Sequence, residues 1–72
     1  MQFHFNLADG RSVADKGAQE LEDAVQASEA ADLLAKKVAR EQPDLVTKGF
    51  AIVVSDEDGE EVYRARLAEN AN

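Results

Sequence analysis

The side chains here that could do acid–base or metal chemistry are a single histidine, His4, and the acidic run Asp56-Glu57-Asp58-Gly59-Glu60-Glu61. The run has the composition of a calcium loop. With Gly59 at the sixth loop position, however, calcium would need an acid where Val54 stands and a bidentate glutamate where Ala65 stands. Both ends fail, so a solvated hairpin turn with at most weak divalent binding is the expected structure. Nucleophilic catalysis has equally little to start from. There is no cysteine, and Ser12, Ser28 and Ser55 lack the glycine frame of a nucleophile elbow. Structural zinc would lack its thiolates, and Gly10, Gly17, Gly49 and Gly59 are too scattered to cradle a phosphate. Neither an enzyme nor a bound cofactor or metal is expected.

Any function must then come from surfaces, and these depend on the elements that present them. A chain of 72 residues holds one small domain and buries only about three-fifths of its unfolded surface. Its formal net charge of −7 disfavours phosphate backbones and anionic membranes. The longest apolar run, Phe50-Ala51-Ile52-Val53-Val54, is far short of a membrane span. Together with the absence of cysteine this points to the cytoplasm.

Met1 to Leu7 alternates apolar and polar residues, the mark of a strand with one buried face, and directs Phe3, Phe5 and Leu7 inward. Asp9-Gly10 is a turn, and Ser12-Val13-Ala14 is a short returning strand that Asp15-Lys16-Gly17 breaks. Strong helix formers run from about Glu20 to Glu41 without glycine or proline. Leu21, Ala24, Ala27, Ser28, Ala31, Leu34, Ala35, Val38 and Ala39 share one arc, so the helix is amphipathic with an alanine-rich face. Glu20, Glu22 and Asp23 near its start, and Lys36, Lys37 and Arg40 near its end, complement the helix dipole. Asp32 and Lys36 form an i,i+4 pair. Pro43 ends the helix, and a loop over Asp44 to Lys48 leads to a strand, Phe50 to Ser55, whose hairpin partner runs from Glu61 to Leu67. The expected fold is α+β: a small antiparallel sheet of three to four strands in ββαββ order, with one long helix on one face. Residues 1–67 make the single domain, and 68–72 form a frayed tail.

Three stretches occur in a distinctive order around that helix: Phe3-His4-Phe5-Asn6-Leu7-Ala8-Asp9-Gly10, Asp15-Lys16-Gly17-Ala18-Gln19-Glu20-Leu21 and Val54-Ser55-Asp56-Glu57-Asp58-Gly59-Glu60. Over roughly positions 3 to 67 the chain resembles a family of very short proteobacterial proteins, common in rhizobia and their relatives, classed as a domain of unknown function. The linker departs from the family's spacing before Glu20-Leu21 and has no proline after Leu21. The resemblance implies the strand-strand-helix-strand-strand order and carries no activity or catalytic residue with it.

One helix covers one face of a small sheet. Alternation assigns the other face His4 and Asn6, Ala51, Val53 and Ser55, and Val62, Arg64 and Arg66. An apolar centre bordered by arginines suits a protein interface. His4, Val53, Val62, Arg64 and Arg66 are therefore the candidate partner-binding residues, with Leu33, outside the helix's apolar arc, as a further contact. The expected function is a non-enzymatic protein–protein interaction module, self-associating through the open face or an edge strand. The alternative is a small regulatory, antitoxin-like protein that binds a basic partner, an analogy of topology and charge. Nucleic acid is not expected, because alternation places Phe3 and Phe5 in the core, out of reach of bases.

Overall fold

The computed structural model describes residues 1–67; the tail expected to fray, 68–72, lies outside them. Two strands, β1 (Gln2–Ala8) and β2 (Val13–Glu20), precede helix α1 (Ala24–Glu41). A single helical turn, α2 (Asp44–Thr47), leads to two further strands, β3 (Ala51–Ser55) and β4 (Glu61–Arg66). The four strands form one antiparallel sheet in the order β2-β1-β3-β4. This is the ββαββ, α+β arrangement that the apolar pattern implies.

Phe3, Phe5 and Leu7 enter the core from β1, Ile52 and Val54 from β3, and Ala65 and Leu67 from β4 and its end. Helix α1 lies over β3 and β4 and buries Ala27, Ala31, Ala35, Val38 and Ala39. Alanines let the helix come close to the sheet, and the sheet supplies the bulk that close packing needs. Phe3, Phe5, Ile52 and Val54 are its largest fully buried side chains. Ile52 stands opposite Ala65 and Val54 opposite Tyr63, while the Leu67 N–H donates to the Phe50 carbonyl at 3.1 Å. The inward residues of the second hairpin are those that alternation selects.

Between the first turn and the helix the chain departs from expectation. The second strand is not confined to Ser12-Val13-Ala14 but runs on through Asp15-Lys16-Gly17 to Glu20. Phe5 is passed by both Lys16 and Gly17, a bulge between the His4–Ala18 and Asn6–Asp15 pairs. Gly17 adopts a φ of 98° there, a conformation costly to any residue with a Cβ. The Gly17 N–H donates to Asp15 Oδ1 at 2.7 Å and fixes the kink. Every residue of β2 is exposed, so the strand never acquired the apolar alternation by which strands are recognised.

Helix α1 accordingly begins at Ala24 rather than near Glu20. Asp23 caps it, accepting from the Gln26 N–H at 3.0 Å, while Gln26 Oε1 accepts from the Glu22 N–H at 3.1 Å. This is a capping-box exchange displaced by one residue. The dipole arrangement is correspondingly thinner: Glu20 belongs to β2, Glu22 precedes the cap, and only Arg40 is basic in the last turn. Asp32, expected beside Lys36, instead accepts from the Tyr63 hydroxyl at 2.8 Å and ties α1 to β4. The loop expected over Asp44 to Lys48 contains α2, with Lys48 Nζ 3.5 Å from Asp44.

Candidate functional site

Helix α1 takes one face of the sheet, and no described element covers the other. The registers set that open face out in rows. Val13, Ala8, Ala51 and Arg66 cross the sheet in the first, and Asp15, Asn6, Val53 and Arg64 in the second. Ala18, His4, Ser55 and Glu61 make the third, beyond which Glu20 stands opposite Gln2. His4, Val53, Val62, Arg64 and Arg66 thus share one surface, as alternation requires. Leu33 does not join them. It is 69% exposed on α1, in the other layer of the molecule.

The centre of the face is apolar. Ala51 is buried, Val53 is half-buried, and Val62 is 38% exposed. Val62 is also the extra residue of a second bulge, since Val54 pairs with Tyr63 but Ser55 pairs with Glu61. That bulge brings Glu61 round to the open face, a position simple alternation would deny it. Its carboxylate there accepts from Arg64 Nε at 3.2 Å and Nη2 at 3.0 Å. The fork raises the Arg64 pKa above its usual value and satisfies much of that side chain's charge. Arg66 is exposed and has no ion pair among the described residues.

Diagonally across from Arg66 the face is acidic. A shallow depression of about 430 Å³ is bordered by His4, Asn6, Asp15, Asp56 and Glu57. The Gln2 N–H donates to Glu57 Oε2 at 3.2 Å, holding that acid over the end of β1. Asp56 Oδ1 accepts from the N–H groups of Asp58 at 2.9 Å and Glu60 at 3.0 Å. The acidic run is therefore the hairpin turn its composition suggested, with one carboxylate committed to the backbone. Among the described residues no three His, Asp or Glu side chains converge as a metal ion would require. The depression offers negative charge and acceptor oxygens to a cationic group.

Glu61, and the Val13, Asp15 and Ala18 side of the face, were missed from sequence. For β2 no apolar pattern existed to be read, whereas the start of α1 was marked by Asp23-Ala24-Val25-Gln26. Among the described residues no helix is long and apolar enough to cross a membrane.

The profile of a family described as Domain of unknown function (DUF6894) matches residues 2–68. The chain belongs to this family. The DUF6894 match begins with β1 and passes beyond β4, so it takes in both hairpins, both bulges and the whole open face. No curated protein and no solved structure matches the chain.

Proposed function

We propose that this DUF6894 domain is a protein-binding module that works through the open face of its sheet and performs no catalysis. The supporting observation is the outward face of β3. A sheet face made for water carries polar residues along its middle strands; β3 directs Ala51 and Val53 outward instead, with Val62 beside them. An apolar centre with charged groups at its margin is the anatomy of an interface. Phe3 and Phe5 are buried and cannot stack on bases, which supports a protein partner over a nucleic acid. The absence of cysteine is consistent with a reducing compartment and supports a cytoplasmic location for the module.

A photo-crosslinking residue at position 62, compared with one at the exposed helix position 29, tests this in the cell. Protein adducts from position 62 and not from 29 support the module. A folded protein that gives none from 62, or gives them only from 29, removes it.

A second reading, the antitoxin-like protein with a basic partner, draws on one end of the molecule. Glu20, Glu22 and Asp23 at the β2–α1 crossover lie at the same end as the Asp56–Glu60 turn, with no lysine or arginine among them. An adduct with a small basic protein whose toxicity the chain suppresses would favour this version over self-association.

A further inference from the structure

Charge on the open face sits at opposite corners. Arg66 occupies β4 in the first row, and the depression with Asp15, Glu57 and His4 lies diagonally across it. When two copies of one face meet about a twofold axis, each contact occurs twice, residue i on j and j on i. An axis along the strands would lay the acidic ends over one another. An axis across them would set Arg64 against Arg64. Only a diagonal axis brings each arginine corner over the other copy's acidic corner, and it crosses the strands of the two sheets near a right angle, one of the two ways sheets pack.

Size permits this docking. The molecule's broad side spans 32 × 28 Å and its depth is 15 Å. With four strands about 4.8 Å apart and successive rows about 6.8 Å apart, the face is near enough to square for crossed sheets to overlap. Val53, near the middle of the second row, would then lie at the centre of the contact on both copies. Separating the acidic corners in this way limits the repulsion between two chains of net charge −7.

Building on the open face as the binding surface, we infer that its occupant is a second copy of this chain, docked with crossed strands so that Arg66 of each copy enters the acidic depression of the other beside Glu57. Sedimentation velocity over micromolar to submillimolar concentrations should show a reversible dimer. Arg66→Glu and Glu57→Arg each place like charges together twice, and each should weaken the dimer at least about tenfold. Both side chains are exposed, so circular dichroism should stay unchanged. Mixing the two variants makes both contacts of a heterodimer attractive again and should restore association. A wild-type chain that stays monomeric throughout overturns the inference, and adducts from position 62 to another protein would then leave the broader module standing. A dimer that neither substitution weakens, or that the mixture fails to restore, overturns the crossed-strand docking.

Discussion

The β1–β2 and β3–β4 hairpins are closed by the same device, an aspartate that binds the backbone of its own turn. Asp9 Oδ1 accepts from the N–H groups of Arg11 and Ser12 at 2.8 and 2.7 Å, as Asp56 does in the second hairpin. Each hairpin also carries one bulge. Their burial is opposite. β4 gives Ala65 to the core and Tyr63 to Asp32 of α1, whereas β2 buries nothing. Strand β2 is thus held by its ladder to β1, its turn and its bulge, and backbone hydrogen bonds contribute only about 1 kcal/mol each, net. A strand so held should open locally while the rest stays folded.

The comparison fails most completely if the shared core is cut. Ile52→Ala, at a fully buried site, should cost about 2–5 kcal/mol, lower the urea midpoint, and reduce hydrogen-exchange protection in both hairpins together. Gly17→Val separates them. Strain at its positive φ is on the order of 1–3 kcal/mol and should fall on β2, whose amides should exchange freely while those of β3 and β4 keep most of their protection. Equal loss in both hairpins would show that β2 folds as part of the core. Asp23→Ala removes the cap of α1 and should cost about 1 kcal/mol, read in the thermal midpoint by circular dichroism. Tyr63→Phe, which removes an exposed hydrogen bond to Asp32, should have the smallest effect and loosen only the α1–β4 side, read as faster amide exchange there.

Opposite pH limits sharpen the same contrast. Hydrogen bonds from Ser12 and then Arg11 hold the Asp9 carboxyl below its ordinary pKa. Their contribution is full above the unfolded value of about 3.9 and is lost as pH falls through the folded value. Acid should therefore disturb the Ser12 amide resonance in the first turn. Tyr63 shifts the other way: its hydrogen bond to Asp32, followed by desolvation, raises its pKa. That contribution is present below about pH 10 and is lost as pH rises through the folded value. The stability gap between wild type and Tyr63→Phe should close there.

Where burial shaped the chain, the sequence could be read. Phe3, Phe5 and Leu7, the alanine face of α1, and Ile52 opposite Ala65 all follow from periodicity, because those residues alternate between core and water. The same alternation placed His4, Val53, Val62, Arg64 and Arg66 on one surface. Strand β2 escaped because neither of its faces is buried, so Asp15-Lys16-Gly17 looked like a break rather than a bulge. Glu61 escaped because the extra residue Val62 inverts its parity, and local sequence does not record a bulge on the partner strand's terms. The helix start was legible in Asp23 and Gln26 but masked by the helix-forming Glu20-Leu21-Glu22 before them.

The bulges fall on β2 and β4, the two outer strands of the sheet. Growth of a fibril needs an unbroken run of outward N–H and C=O groups that the next strand can copy at a repeat of about 4.8 Å. Gly17 and Val62 interrupt that run on either side, with Lys16 and Glu61 next to the breaks. A small sheet with two bare edges is in this way a poor seed for amyloid.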